Sequence, residues 1–562
     1  MERLIECVPN FSEGRDLALI RQITDAATSV EGVALLDVDP GAATNRTVVT
    51  LAGPPEAVIE AAVRSGRKAR ELIDMRRHRG EHPRFGAMDV CPLVPISGVT
   101  MDECAEYARQ LGRRLGEEVG VPVYLYERAA AKPERRNLAA VRAGEYEGLA
   151  EKLADPAWQP DFGPARFDPR YGATAVGARD FLIAYNVNLN TTSTRRANAI
   201  AFDVREKGRP RREGDPLTGP VVRDAAGHEV WIPGTLKCVK AIGWFIEEYG
   251  IAQISMNLTD IGVTPLHRAF DEVCEKARER GIRVTGSEIV GLVPLAAMLE
   301  AGRHFLRRQE RSTGVSDREL IKIAVKSMGL DDLAPFDPQK KIIEYVMAAR
   351  SGRKRLIDRT VLDFVEETAS ESPAPGGGSV AALLGSLGAA LATMVANLSS
   401  HRRGWDARWA EFSDHAERGK AAQVELLRLV DADTEAFDAV MAAFGLPKGN
   451  EAEKAARTAA IQDATRRAAE VPLRTMEVAV GSFGVIRSMA EIGMESSVSD
   501  AGVAALCARS AVLGAGLNVR INAAQLKDRA VADELRRRAD AFEQAAVRAE
   551  AEILGIVAAR IG

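Results

Sequence analysis

The densest run of residues able to move protons or hold anions is Arg76-Arg77-His78-Arg79-Gly80-Glu81-His82-Pro83-Arg84-Phe85-Gly86-Ala87-Met88-Asp89. An imidazole titrates near ~6.5 and can take or give a proton at neutral pH. A guanidinium such as Arg84 can grip a carboxylate through two N–H bonds. His78 and His82 have the spacing of a helical metal pair, but Gly80 and Pro83 argue against a helix, since the residue before proline avoids the α region. No metal is expected; a proton-transfer loop and a solvated surface loop are both left open. Val8-Pro9-Asn10-Phe11-Ser12-Glu13-Gly14 and Asp37-Val38-Asp39-Pro40-Gly41-Ala42-Ala43-Thr44-Asn45-Arg46 have the same style. Polar strand ends often carry function. The competing reading is turn and cap chemistry by Asn10, Ser12 and Asp39.

A second group lies towards the C-terminus. Pro373-Ala374-Pro375-Gly376-Gly377-Gly378-Ser379 opens a helix, where bare N–H groups at the positive end can face a ligand. Without a following lysine it is no nucleotide loop, and a flexible N-cap fits equally well. Asp431 and Asp433 are two apart, so at most one of them faces a helical core. A buried carboxylate there would have a raised pKa and could shuttle protons; a solvated acidic face is the alternative. Asp500 and Asn518 are polar residues inside otherwise apolar runs.

These residues need elements to position them. At roughly 150 residues per domain, 562 residues make three or four bodies. Upstream of Pro375 the chain is punctuated by proline and alternates strand with helix patterns. The order over 4–94 is β-α-β-β-α-β, ferredoxin-like, and it recurs over 181–285. Downstream only Pro447 and Pro472 remain, and long 3.6-period stretches (421–441, 530–557) predict an all-α bundle. The expected division is an α/β subdomain over 1–178, a second over 179–327, a linker over 328–338 and a helical domain over 339–562.

Other function classes are excluded. There is no P-loop, no G-x-S-x-G elbow, no H-E-x-x-H pair and no RNA-recognition aromatic motif. A net charge of -4 gives no bulk attraction to nucleic acid. The stretch 380–398 is uncharged and long enough to span a membrane, but it is rich in Ala, Gly and Ser without aromatic flanks, so a buried bundle helix is expected instead. Cys7, Cys91, Cys104, Cys238, Cys274 and Cys507 are dispersed, and Met1-Glu2-Arg3-Leu4-Ile5-Glu6 has no secretory pattern. A reduced, cytoplasmic protein is expected. Close-packing Ala- and Gly-rich helix faces point to a homo-oligomer.

The motifs also carry a resemblance. Glu6-Cys7-Val8-Pro9-Asn10-Phe11-Ser12-Glu13-Gly14 resembles the start of glutamate formimidoyltransferases. Leu36-Asp37-Val38-Asp39-Pro40-Gly41 with Asn45-Arg46-Thr47 fits the same family, as do Gly80-Glu81-His82-Pro83-Arg84 with Gly86-Ala87, Gly172-Ala173-Thr174, Gly177-Ala178-Arg179 and Gly291-Leu292-Val293-Pro294. Pro375-Gly376-Gly377-Gly378-Ser379-Val380-Ala381-Ala382 and Leu429-Val430-Asp431-Ala432-Asp433 resemble the cyclodeaminase half. By resemblance along nearly its whole length, the chain is identified as a member of the bifunctional formimidoyltransferase-cyclodeaminases.

The resemblance implies two folate reactions of histidine degradation. A formimino group passes from N-formimino-L-glutamate to N5 of tetrahydrofolate, and 5-formiminotetrahydrofolate then cyclises to 5,10-methenyltetrahydrofolate with loss of ammonia. It implies tetrahydrofolate as a polyglutamylated co-substrate and no metal. His82 matches the catalytic histidine, Asp39 would orient it, and Arg84 would bind substrate or stabilise charge. Gly163-Pro164-Ala165-Arg166-Phe167-Asp168-Pro169-Arg170-Tyr171-Gly172 matches the folate-contacting segment, and Asp433 the cyclodeaminase carboxylate. Asn10, Gly376, Gly377, Gly378, Ser379, Asp431, Asp500 and Asn518 are further substrate-binding candidates. Arg195-Arg196, Arg211-Arg212 and Arg402-Arg403 could hold an anionic folate tail. The chain departs from many relatives at Ser399-Ser400-His401-Arg402-Arg403, where they carry a Tyr-Gly turn. The alternatives are a second half acting mainly as a methenyltetrahydrofolate cyclohydrolase, a first half that transfers formyl, and a non-catalytic folate-binding scaffold.

Overall fold

The computed structural model describes residues 3–41, 45–80, 84–214, 218–247, 249–351 and 355–562. It divides into two compact units, residues 1–301 with 325–352 and residues 302–324 with 353–562.

The first unit holds two sheets. In the first, β1 (Leu4–Cys7), α1 (Leu17–Thr28), β2 (Ala34–Gly41), β3 (Arg46–Gly53), α2 (Pro55–Leu72) and β4 (Met88–Ser97) follow one another. Strand β1 lies between β3 and β4, antiparallel to both, and β2 pairs outside β3. The two-residue strand Asn10–Phe11 continues β1 between the same neighbours. After α3 (Met101–Arg114), β5 (Val123–Glu127) and β6 (Thr174–Ala178) extend the sheet beyond β4 in parallel. Local chemistry sets the ends of the helices. The Asp16 side chain accepts from the backbone N–H groups of Ala18 and Leu19, and Thr100 with Glu103 closes a capping box on α3.

The second sheet repeats this spatial order. Strand β7 (Ile183–Leu189) lies between β9 (Ile251–Leu258) and β10 (Val284–Val290), with β8 (Val239–Ile246) outside β9, all antiparallel. Helices α4 (Thr194–Val204) and α5 (Leu266–Arg278) supply the crossovers. Gly243 is where α4 meets the sheet: a side chain there would run into the backbone of Ala197 and Asn198. The last strand is longer than the expected 282–285, because the polar Ser287 and Glu288 interrupt its apolar pattern without ending its pairing.

The expected linker over 328–338 is corrected. Ser287 N–H donates to Gly329 O (2.9 Å) and Ser287 Oγ to Met328 O (2.7 Å), which ties this stretch to β10. Val293 exchanges backbone hydrogen bonds with Lys341 and Ile343, and Ile343 is buried with Leu36, Val94 and Phe181. The helical unit therefore takes up at about residue 353, not 339. The buried Met328, Leu330, Ile342 and Ile343 hold the segment down despite its acidic, proline-bearing composition.

The second unit is a bundle built on α6 (Leu295–Arg308) from its Gly302 onward, the start of α7 (Asp317–Met328), α8 (Gly377–Ser400), α9 (Trp409–Phe444), α10 (Glu451–Ile492), α11 (Val498–Ala523) and α12 (Arg529–Ile561). Alanines let its helices approach closely: Ala381, Ala389, Ala392 and Ala396 of α8 are buried, as are Ala504, Ala508, Ala511 and Ala515 of α11. Helices α8 and α11 are long and apolar enough to cross a membrane by composition, and about half or more of each apolar window is buried in the bundle. Helix α10 runs on through Pro472.

Candidate active sites

In the first unit, three loops distant in sequence meet at one end of the first sheet. Ser12 Oγ donates to Gly86 O (2.7 Å), Gly14 N–H to Asn45 Oδ1 (3.0 Å), and His78 Nε2 lies 2.7 Å from Asn45 O. Asn45 holds φ 48°, a left-handed conformation that asparagine tolerates. Asn10 is buried between β3 and β4, and its Oδ1 accepts from Arg46 Nε (3.0 Å). His82, with Glu81 and Pro83, lies outside the described residues; its neighbours His78 and Arg84 are fixed in this cluster. His78 is buried, and burial pushes its pKa below the ordinary histidine value. Asp39 sits exposed on β2, opposite Val48 of β3.

Arg84, expected to bind substrate or stabilise charge, makes several contacts within the chain. Its Nε and Nη2 donate to the Glu147 carboxylate (3.0 and 2.5 Å), and its Nη1 to the carbonyls of Met75 (3.0 Å) and His78 (2.5 Å). The guanidinium also stacks 4.6 Å from the Tyr146 ring centre. Four of its five N–H groups are engaged in this way.

The segment from Gly163 to Gly172 is laced to that loop. Met75 N–H donates to Arg170 O (2.9 Å), Ala87 N–H to Tyr171 O (2.7 Å) and Ala173 N–H to Phe85 O (3.1 Å). Gly163, Pro164, Ala165, Arg166, Pro169 and Arg170 are exposed, Phe167 and Asp168 half-buried, and Tyr171 and Gly172 buried. The Phe167 ring lies 5.5 Å from that of Tyr146. One end of the segment anchors the fold and the other offers a surface.

Two further features border the same unit. A cleft of about 740 Å³ is lined from both α/β halves, by Arg128, Arg142 and Arg179 on one side and Lys240, Thr259 and Asp260 on the other. One face of the second sheet carries a polar chain. Trp244 Nε1 donates to Gln253 Oε1 (3.1 Å), and Gln253 Nε2 to Asn188 Oδ1 (2.8 Å) and Glu288 Oε1 (3.1 Å). Asn186 donates to the same Glu288 oxygen (3.0 Å).

In the second unit, the glycine-opened helix and the acidic run come together. Ser379 Oγ donates to Val430 O (2.8 Å) and lies 3.3 Å from Asp433 Oδ2. A side chain at Gly378 would collide with the Asp433 carboxylate, and one at Gly377 would reach the Asn518 amide. Gly376 is the N-cap of α8. Burial pushes the Asp433 pKa up against the lowering effect of hydrogen bonds from Ser379. Asp431 faces elsewhere: its Oδ1 accepts from Leu356 N–H (2.6 Å), tying down the segment that enters the bundle. Asp500 lies apart from this group. It lies in the first turn of α11, and Asn518 stands eighteen residues on, roughly 27 Å away at 1.5 Å per residue. The divergent Ser399-Ser400 pair likewise ends α8 at the opposite end from Gly378.

A family model described as "Formiminotransferase domain, N-terminal subdomain" matches residues 4–179, one described as "Formiminotransferase domain" matches 184–348, and "Formiminotransferase-cyclodeaminase" matches 360–541. The formimidoyltransferase-cyclodeaminase of Rattus norvegicus is 44% identical over 560 residues, covering 100% of both chains. The chain belongs to the formiminotransferase-cyclodeaminase family. Other relatives match one part of the chain. A glutamate formimidoyltransferase of Streptococcus pyogenes is 41% identical over 55% of this chain and 95% of its own. A methenyltetrahydrofolate cyclohydrolase of Methylorubrum extorquens is 41% identical over 32% of this chain and 85% of its own.

Within this formiminotransferase-cyclodeaminase fold, several site-shaping residues escaped the sequence reading. Arg46 and Arg142 both reach Asp89, and Glu147 holds Arg84, across separations that no spacing rule covers. The Asn186, Asn188 and Gln253 face had a signal, since polar residues at every second position of a strand share one side, but alternation is equally the pattern of a solvated face.

Proposed function

We propose that the first unit transfers the formimino group of N-formimino-L-glutamate to N5 of tetrahydrofolate, and that the second closes 5-formiminotetrahydrofolate to 5,10-methenyltetrahydrofolate with release of ammonia. The observation that carries this reading is the end-to-end alignment, at 44% identity, with a protein named for both activities.

In the first step N5 attacks the amidine carbon, the carbon–nitrogen bond to glutamate breaks, and the proton lost from N5 ends on the departing glutamate nitrogen. His82 is the group to relay that proton, with Asp39 orienting it and Arg84 shaping its loop. In the second step N10 attacks the formimino carbon of the protonated amidine. The N10 proton passes to the terminal nitrogen, which leaves as ammonia. Asp433 suits this transfer, because a buried carboxylate exchanges protons closer to neutrality than an exposed one. Bare N–H groups at Gly377 and Gly378 can face the folate beside it. The amidine carbon is already activated, so positioning and proton transfer carry the chemistry.

Finer features belong to the same reading. Both α/β halves are ferredoxin-like, the strand order of each sheet supporting this. The folate is polyglutamylated, and a cavity of about 440 Å³ that gathers Arg195, Arg209 and Arg212 suits an anionic tail. The protein is a cytoplasmic homo-oligomer, with the exposed Leu387, Met394 and Leu398 of α8 and Val503, Leu506 and Leu517 of α11 as the pairing face. No metal takes part and no membrane is crossed.

A second reading is favoured by the Methylorubrum relative: the helical unit hydrolyses 5,10-methenyltetrahydrofolate. The full chain, given 5-formiminotetrahydrofolate in one assay and 5,10-methenyltetrahydrofolate in another, separates the two. Faster ammonia release than methenyl hydrolysis supports the cyclodeaminase, and the reverse supports the cyclohydrolase.

A further inference from the structure

Asp89 is the one charged residue of β4, and it is fully buried. Arg46, from β3, and Arg142 both place a guanidinium nitrogen on its Oδ2, Arg142 at 2.9 Å, while Oδ1 has no hydrogen-bond partner. Two guanidinium groups thus share one buried carboxylate oxygen. A buried ion cluster of this kind is weak as a source of stability and strong as a means of fixing orientation. Arg142 is the member that reaches outward, since it lines the 740 Å³ cleft. Its backbone is pinned too, because the Lys152 ammonium donates to the carbonyls of Ala140 and Ala143 on either side. Burial also lowers the Arg142 pKa, with Asp89 and then Glu145 opposing the shift and Arg46 adding to it. Arg128, Arg179 and Lys240 add further cations to the same cleft, interleaved with the carboxylates of Glu127, Glu145, Asp180 and Asp260.

We propose that Arg142 holds a glutamyl carboxylate of a substrate in this cleft, with Asp89 and Arg46 as positioning residues that fix its guanidinium. The inference rests on the transferase reading of the first unit. Both substrates of that reaction carry glutamyl carboxylates, and the chemistry they share is what the site recognises.

Steady-state transfer kinetics of the full chain test this, with Arg142→Lys, Asp89→Asn and Arg142→Ala, the last with and without added guanidinium. Arg142→Lys keeps the charge and loses the two-pronged grip, so KM for one substrate rises about tenfold or more while kcat changes little. A rise confined to formiminoglutamate assigns the donor's carboxylate; a rise confined to tetrahydrofolate assigns the folate's. Asp89→Asn raises the same KM, and guanidinium restores part of the activity of Arg142→Ala. Should Asp89→Asn fail to fold, Arg142→Lys and the rescue decide alone. Unchanged KM values with Arg142→Lys, or a fall in kcat alone without rescue, overturn the proposal. A wild-type chain that transfers no formimino group refutes the transferase reading itself, a result distinct from unchanged variants of an active enzyme.

Discussion

Gly378 of α8 lies so close to Asp433 of α9 that a methyl group at position 378 has no room beside the carboxylate. The missing side chain brings the first turn of one helix onto the acid of another. The bare glycines and the buried aspartate thus form one arrangement. Gly378→Ala should move the carboxylate, cut ammonia release at least tenfold and leave formimino transfer intact. The helical unit should lose roughly 1–3 kcal/mol to overpacking. Parallel assays of the two reactions check this; equal loss of both would show a general folding defect instead.

Asp433→Asn should let 5-formiminotetrahydrofolate accumulate, with ammonia release down by about 10²–10⁴-fold, the usual worth of a proton-transfer group. Its effect on stability depends on pH. Burial raises the folded pKa of Asp433 above its unfolded value, so the folded state binds the proton more tightly, and stability is lost as pH rises through that window. The variant should gain melting temperature over wild type at pH 8 and lose that advantage at pH 4. Melting curves at both values decide it.

His78 carries the opposite sign. Burial lowers its folded pKa, so the neutral ring is preferred, and stability is lost as pH falls below the unfolded value near 6.5. His78→Gln should flatten the acid side of the first unit's stability profile. A variant whose melting temperature falls from pH 7 to pH 5 as steeply as wild type would contradict this.

Arg84→Ala should cost roughly 1–3 kcal/mol, because it leaves the carbonyls of Met75 and His78 without their donor, while the exposed Glu147 carboxylate is taken up by water. Transfer should fall with the loop around His82, while cyclodeamination by the other unit persists. A large rise in KM for formiminoglutamate with no change in melting temperature would instead make Arg84 a direct ligand.

Much of the fold could be read in the sequence where chemistry is local. Period-2 and period-3.6 patterns marked most strands and long helices. Asp433 and the glycines stood out because bare glycines before an apolar helix and an acid inside another are rare. What stayed hidden depends on long-range pairing. The 328–338 stretch looks like a linker by composition, and only its burial against the second sheet shows otherwise. Asp500 looked equivalent to Asn518 because both interrupt apolar runs, and only the length of α11 separates them. Arg84 looked free because Glu147 is sixty-three residues away.

One chain carrying out both steps is open to direct measurement. Its most direct test supplies the full chain with formiminoglutamate and tetrahydrofolate, following methenyltetrahydrofolate by absorbance and ammonia by a coupled assay. One methenyl group and one ammonia are expected for each glutamate released, with transfer abolished by His82→Ala and ammonia release by Asp433→Asn. Glutamate release without ammonia, or turnover unchanged by His82→Ala, would contradict it.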